Sequence, residues 1–309
     1  MSIQHNQKNK TKKRSNVSYF MLSMPGMLAL LFVSIVPCFG LLLAFKEYNY
    51  VDGIFGSPWV GLENFIAFFK TNDFVRVLGN TLFYNITWTV VINIGLAAVV
   101  AIMLYDVRNA RVNKLFQTCL LIPGFVSSAT LSYVAYTFLA HENGLVNGLL
   151  EIFGADPIMW YNEAKYWPLI LTLIQAWSQM GLASLYFYSA MLSIDTQVFE
   201  AASIDGAGKF RQIWHIAIPE LLPMVCMVLI TRMGAVMTSG VEPFYSLTLN
   251  SSALYETTDV LGTYLFRGLS GSSLGITTAI SLFQNVVGVI LLVTSNTVVK
   301  KLNKDMALY

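Results

Sequence analysis

The chain has 309 residues, a formal net charge of +2, and only 12% charged against 55% apolar residues. Water-soluble domains carry about 25% charged residues, so at a mean hydropathy of +0.59 much of this surface must face lipid. Composition excludes an ordinary soluble domain and sets the class as an all-α, polytopic membrane protein; no nucleic-acid partner is expected.

Residues 1–18 form a polar tail carrying Lys8, Lys10, Lys12, Lys13 and Arg14, charges suited to fixing topology and to meeting anionic membrane lipid. The apolar run that follows, 19–45, is too long for the core of a secretory signal. No small-x-small cleavage site ends it, so it reads as a retained first span. A loop over 46–76 leads to a core at 77–299, which holds five further spans and a polar loop at 195–218; residues 300–309 are a short tail. A span needs about 20 helical residues. The six are expected near Tyr19–Phe45, Val77–Leu104, Leu115–Ala140, Trp167–Leu192, Pro219–Gly240 and Gly275–Val299. Pro123-Gly124 interrupts the third and predicts a kink or an unwound turn. Gly181 in the fourth and Gly234 in the fifth read as close-packing positions rather than hinges.

Lysine and arginine set the orientation. The amino terminus, the loops at 105–114 and 193–218 and the tail together hold 13, whereas the opposite loops hold 5: Lys46, Lys70, Arg76, Lys165 and Arg267. Both termini are therefore expected in the cytoplasm. That places the loop 46–76 outside, together with 141–166, where Trp160-Tyr161 suits an interfacial belt, and 241–274, whose length suits a short re-entrant or surface helix.

Missing features narrow the chemistry. His5, His141 and His215 lie in separate segments without metal-ligand spacing. Cys38, Cys119 and Cys226 fall in spans, where cysteine behaves as a small hydrophobe. No metal site, no catalytic group and no cofactor bound by this chain is expected. Gly206-Ala207-Gly208-Lys209 fails as a phosphate loop, because Ser203 and Phe210 stand where a Gly and a Ser or Thr are needed. No Asp or Glu lies in the middle of a span, which argues against a proton- or sodium-driven carrier. Arg232 is the one charge inside a span. At about 3 kcal/mol on insertion scales it should face the bundle interior or water, either bonded to neighbours or standing on a solute route.

Polar residues also recur at helical spacing. Gln175, Gln179 and Tyr186 share one face of the fourth span with Leu182; Ser281 and Asn285 share one of the sixth with Thr278 and Gly288, and Gln284 lies beside them. Ser127, Ser128, Thr130 and Tyr133 add to the third span, Asn85 and Asn93 to the second. Two readings stand. One is helix–helix hydrogen bonding; the other is a route for a neutral, polyhydroxylated solute whose hydroxyls meet amides and whose faces meet aromatic rings.

The most informative stretch is Glu200–Pro219, EAASIDGAGKFRQIWHIAIP. Asp195 is placed to cap the helix leading in, and Glu200 lies near its first turns, where a carboxylate suits the positive helix end. Ala201 and Ala202 leave room for a partner surface. Gly206 and Gly208 permit a backbone reversal that a β-carbon resists, and Pro219 suits the first turn of the next helix. The spacing is EAA, three residues, Gly, nine residues, then Ile216, a spacer, Ile218 and Pro219. It resembles the EAA loop of the membrane subunits of ABC importers, with Ile218 in place of Leu. The opening PGMLALLFVSIVPCFGLLLAFKEYNY, Gly61-Leu62 with Asn64-Phe65, Asn80-Thr81 and the ending TSNTVVKKL extend the likeness. They resemble the carbohydrate branch of the type I importers, most of all permeases for polysaccharide-derived oligosaccharides.

The resemblance implies a permease without an ATPase site of its own, importing a sugar or oligosaccharide delivered by an external solute-binding protein. It implies a second permease subunit, expected to be a different chain, and two ATP-binding subunits that carry ATP and magnesium. It also implies that the 195–218 loop is a coupling helix for the ATPase, with Glu200, Ala201, Ala202, Asp205, Gly206, Gly208, Lys209 and Pro219 as its coupling residues. Gln175, Gln179, Tyr186, Arg232, Ser281, Gln284 and Asn285 are the candidates for the solute route. The alternatives are the same machine with an amino acid, peptide or other small solute, or a membrane scaffold without transport.

Overall fold

The computed structural model describes residues 18–238, 240–269 and 274–306; the basic cluster at 8–14 and the last three residues of the tail lie outside them. The main helices are α1 (Ser18–Phe45), α2 (Asp73–Asp106), α3 (Ala110–Phe125), α4 (Ser128–Leu139), α5 (Ala164–Leu192), α6 (Thr196–Ile204), α7 (Lys209–Gly234) and α8 (Leu274–Leu302). Of these, α1, α2, α5, α7 and α8 are each long and apolar enough to cross a membrane. Helices α3 and α4 qualify only together, bent by 92° at the break between them, so the expected third span is a broken one. Its cause is local: a 3₁₀ turn over Ile122–Phe125 begins with Pro123 near its first position. The Ser127 hydroxyl then accepts from the Thr130 amide at 3.2 Å and starts α4.

The fifth span differs in extent from the expected Pro219–Gly240. A π-helical turn, Ile213–Ala217, runs straight into the helix that carries Pro219, so the span reaches back to Lys209 and ends at Gly234. A widened turn ahead of the proline gives its ring and missing N–H room without ending the helix.

The described residues fall into two compact units, one within Met1–Phe68 and Ser272–Leu282, the other within Phe69–Gly271 and Phe283–Tyr309. In the first, the end of α1 is closed by the loop that follows it. Asn64 Nδ2 donates to the carbonyls of Ala44 and Lys46, both at 3.0 Å. The buried Lys46 ammonium donates to the carbonyls of Ile54 and Phe55 at 3.0 and 2.7 Å and lies 5.1 Å from the Trp59 ring centre. Gly61 takes the left-handed conformation (φ 60°) three residues before Asn64. The Gly61/Asn64 pair is thus part of a helix-end cap.

The second unit has two apolar clusters. One joins Tyr84, Trp88 and Ile92 of α2 to Trp167 and Leu171 of α5 and to Phe244, Leu247, Leu254 and Val260. The other is built on small residues, Ala97 and Ala101 of α2 with Ala183 of α5 and Ala217 of α7, around Phe187 and Met191. The segment between α7 and α8 is therefore packed inward: Phe244 stacks on Trp88 at 5.2 Å, and the Tyr84 hydroxyl donates to the Thr257 carbonyl at 2.9 Å. Polar contacts lock it further. The Asp259 side chain, fully buried, takes Arg267 Nη2 on both oxygens at 2.7 Å and Thr263 Oγ1 at 2.9 Å. Arg76 Nη2 approaches the same carboxylate at 3.4 Å, and Asn80 Nδ2 donates to the carbonyls of Glu256 and Asp259 at 3.1 and 3.0 Å.

Glycines set the closest helix approaches. A Cβ on Gly181 of α5 would lie 1.9 Å from the Leu120 carbonyl oxygen of α3, and one on Gly288 of α8 would lie 2.4 Å from the Gly234 oxygen of α7. Small residues let helices meet this closely in a bilayer. Gly181→Ala should therefore destabilise the protein by about 1–3 kcal/mol, read as a lower Tm in detergent. Gly148→Ala, whose Cβ meets open space, should hold or raise the Tm. Equal Tm values for the two variants would contradict the α3–α5 contact. Asp259→Ala should lower the Tm as well, because two arginines lose a buried counter-charge.

Candidate functional site

The turn between α6 and α7 is built from local hydrogen-bond rules. The Asp195 carboxylate accepts from the Gln197 amide at 2.9 Å and opens α6. At the other end Asp205 is the cap residue and Gly206 follows with φ 75°. The Gly206 amide donates to the Ser203 carbonyl at 3.1 Å, and the Ala207 amide to the Ala202 carbonyl at 2.9 Å. These are the two bonds of a Schellman motif, which wants a left-handed residue, best glycine, at the first position past the cap. The EAA-to-glycine spacing follows: Ala202 supplies the carbonyl and Gly206 must stand four residues later.

Gly208 does not share that role. It is extended (φ −67°, ψ 163°) at the start of α7, and a Cβ there meets nothing within 4 Å. The reversal expected of both glycines is made by Gly206 alone. Gln212 is the residue that sequence reasoning missed. It is buried, and its Nε2 donates to Ser203 Oγ at 2.9 Å and to the Ala207 carbonyl at 3.1 Å, tying α7 back to the last turn of α6. The available signal was its phase: Gln212, Ala217 and Leu221 are the buried positions along this stretch, and a polar side chain on a buried stripe needs a partner.

No residue of α6 is buried. Ala201 is exposed and Ala202 half-buried. Ile204, Phe210 and Trp214 present apolar surface at 86%, 75% and 55% exposure. Glu200 is exposed and lines a cavity of about 390 Å³ with Asp106, Arg108 and Lys209. The Lys209 ammonium pairs with Asp106 at the end of α2, both side chains well exposed, so the pair adds little stability by itself. Pro219 is exposed within α7.

Two of the route candidates come together. Tyr186 of α5 and Arg232 of α7 line a cavity of about 410 Å³ with Asn93 of α2 and Thr231. Arg232 Nη2 donates to Asn93 Oδ1 at 3.1 Å, while Asn93 Nδ2 donates to the Trp88 carbonyl at 3.1 Å across a π-helical turn, Trp88–Leu96. The other candidates lie elsewhere. Gln284 is buried and donates to the Met237 carbonyl at 2.8 Å, beside Asn85, which donates to the Val236 carbonyl at 2.8 Å. Both close the end of α7 and are helix-packing contacts. Gln175 and Gln179 are half-buried, with no side-chain hydrogen bond among the described residues. Ser281 and Asn285 each have partners, and neither lines the Arg232 cavity. A separate cavity of about 280 Å³ is walled by Tyr136, His141, Trp160, Tyr161 and Asn162. Burial, with Tyr136 adding to it, pushes the Tyr161 phenol up to about 12, so it stays protonated.

Residues 93–307 match the family described as binding-protein-dependent transport system inner membrane component. Protein LplB of Bacillus subtilis (strain 168) is 30% identical over 287 residues, covering 93% of this chain and 89% of its own length. The polygalacturonan/rhamnogalacturonan transport system permease protein YteP of the same organism is 32% identical over 288 residues, covering 93% and 88%. The solved structure of a bacterial alginate ABC transporter, in complex with an alginate pentasaccharide-bound periplasmic protein, superposes with a TM-score of 0.83 at 28% identity. The match covers 96% of this chain and 98% of that one.

The turn makes a discriminating expectation. Gly206→Ala forces a side chain into a left-handed position at roughly 1–2 kcal/mol. Amide hydrogen exchange over 203–212 should speed by about five-fold or more, since 1.4 kcal/mol is tenfold in an equilibrium. Gly208→Ala should leave exchange unchanged. The same exchange in both variants would sink the assignment of the reversal to Gly206.

Proposed function

This chain belongs to the binding-protein-dependent transport system inner membrane components, and on that premise we propose how its parts divide the work of an ATP-driven importer. It is a multi-pass inner-membrane permease of an ABC transporter for sugars or oligosaccharides, working with a periplasmic binding protein. The saccharide class is supported by relatives named for polygalacturonan, rhamnogalacturonan and alginate.

In our reading the permease pairs with a second permease chain and with two ATPase subunits that hold ATP and magnesium. Helix α6 is the part that meets an ATPase. One observation carries this: α6 has no buried residue, yet it is capped at both ends and tied down by Gln212. Its contact with the bundle runs through the half-buried Phe199, whose ring lies 5.7 Å from that of Tyr105 of α2; the rest of its surface is left for a partner to cover, and a helix with fixed ends transmits displacement rather than unfolding. Glu200 supplies the charge for a basic partner group, Ala201 and Ala202 the close approach, and Ile204 and Phe210 the apolar contact. Asp205 and Gly206 shape the turn, Gly208 opens α7, and Lys209 and Pro219 join the turn to α2 and α7. Closure of the ATPases on ATP then shifts the permease pair from inward- to outward-facing, through the difference in binding energy between the two states. Both termini and α6 are cytoplasmic in this scheme, in line with the lysine and arginine bias.

Reconstitution tests the reading. In proteoliposomes holding the full complex, binding protein loaded with oligosaccharide should stimulate ATP hydrolysis several-fold. Stimulation only by an amino-acid- or peptide-loaded binding protein would replace the saccharide assignment, and no stimulation by any loaded binding protein would remove the coupling scheme. Orientation is checked separately. With Cys38, Cys119 and Cys226 replaced, Gly208→Cys should react with an impermeant thiol reagent only from the cytoplasmic face and Asn162→Cys only from the outer face; the reverse pattern would invert the topology.

A further inference from the structure

We propose that the short helix Leu145–Ile152 and the end of α4 form a docking groove for a phospholipid with a cationic ammonium headgroup, so that this loop rests in the headgroup layer of the outer leaflet. The proposal goes beyond the division of labour set out above. It takes from it only the outward placement of the loop between α4 and α5, which the Asn162→Cys labelling tests by itself.

This helix is patterned inside out. The α-helical repeat puts Leu145, Leu149 and Ile152 on one side, with Phe153 just past the last turn, and their exposures are 54%, 57%, 78% and 84%. The side turned to the protein carries Asn147 instead, which is 2% exposed. Asn147 Nδ2 donates to the carbonyls of Ala140, His141 and Ile158 at 3.3, 3.2 and 2.9 Å, and its Oδ1 accepts from the Trp160 indole at 2.9 Å. A polar group holds the helix in place while an apolar face looks outward, the reverse of a helix packed on a soluble core.

What covers that face follows from the depth at which Asn147 holds it. Helix α4 ends at Leu139, so Ala140 and His141 are where the broken span gives out. The Trp160 carbonyl accepts from Trp167 Nε1 at 2.8 Å, in the first turns of the next span. The short helix is thus pinned to the outer ends of two spans at once. Around it stand Trp160, Tyr166 and Trp167, with Lys165 Nζ 4.8 Å from the Tyr166 ring centre, the side chains that gather where a membrane meets water. A helix held at that level lays its apolar face among acyl chains. A concavity of about 980 Å³ runs along it, walled by Phe138 of α4 with Leu145, Leu149 and Ile152. The same wall carries the exposed Glu142 and Glu151 and neither lysine nor arginine. Interfacial helices that hold anionic lipid are rich in Lys and Arg. Two carboxylates instead repel phosphatidylglycerol and complement the ammonium of phosphatidylethanolamine.

Two readouts on the full transport complex test this, in nanodiscs of phosphatidylethanolamine and phosphatidylglycerol in equal parts, without binding protein. With Cys38, Cys119 and Cys226 replaced, a nitroxide on Leu149→Cys should collide with oxygen several-fold more than with a water-soluble nickel chelate, and one on Glu151→Cys should show the opposite. Nickel access at Leu149→Cys equal to that at Glu151→Cys would leave the face in water, open to the binding protein, and poor access for both reagents would place the second permease over it. Either result overturns the proposal. After transfer to detergent, mass spectrometry of the lipid retained by the complex should find phosphatidylethanolamine in several-fold excess over phosphatidylglycerol. Glu142→Gln combined with Glu151→Gln should lower that ratio, and Leu149→Ser combined with Ile152→Ser should lower the amount of phosphatidylethanolamine retained. A wild-type preference for phosphatidylglycerol, or a ratio unchanged by the paired glutamate replacements, would also overturn it. Neither readout needs ATP or a solute, so a failure here is distinguishable from a failure of ATP-driven import.

Discussion

A carbonyl released where a helix stops needs a donor, and leaving it bare in apolar surroundings costs several kcal/mol. This chain stops and restarts its helices often, and carboxamide side chains meet the released carbonyls at one break after another. Asn64 serves Ala44 and Lys46, Asn113 serves Leu104, Asn147 serves Ala140, and Gln212 serves Ala207. Asn85 and Gln284 serve the adjacent carbonyls of Val236 and Met237. An amide suits the task because it donates without bringing a charge into apolar surroundings.

The functional geometry depends on these closures. With Val236 and Met237 held from two helices, α7 can end at Gly234 while still approaching α8 through Gly288. That end lies two residues from Arg232, so the position of the guanidinium follows from how the break is closed. At the other end of α7, Gln212 and the Schellman bonds fix the direction in which α6 leaves the bundle. The same device therefore places the Arg232 cavity and the Gly206 turn on a single helix. Helix α7, Lys209–Gly234, is the one continuous element that joins them.

Much of this was legible in the sequence wherever the cause is local. The apolar runs gave the spans to within a few residues except the fifth, which begins at Lys209 rather than Pro219; Pro123 marked the broken one, and Gly206 marked the reversal, because each acts through neighbours in the chain. The 195–219 stretch was also legible as a resemblance, and its spacing proves to be the spacing of a Schellman motif. What could not be read depends on distant partners. Asp259 and Arg76 are 183 positions apart, and Arg232 and Asn93 are 139 apart. The polar stripes were ambiguous for a physical reason: an amide closing a helix break and one facing a solute have the same periodicity. Gln284 proved to be the first kind, and Tyr186, which lay on the same stripe as Gln175 and Gln179, faces the cavity without them. The free space at Gly208 was likewise hidden, since a glycine in sequence does not announce its φ.

The central claim is that amides close the helix breaks, and stability compared across two sets of isosteric replacements tests it most directly. Asn85→Leu, Asn113→Leu and Gln284→Leu each remove a donor to a freed carbonyl. Gln175→Leu and Gln179→Leu remove amides of the same kind that bond to nothing within the described residues. Unfolding of the protein in a fixed detergent should show losses of about 1–2 kcal/mol for each of the first three and changes within about 0.5 kcal/mol for the last two. Equal losses in both sets, or none in the first, would contradict the account.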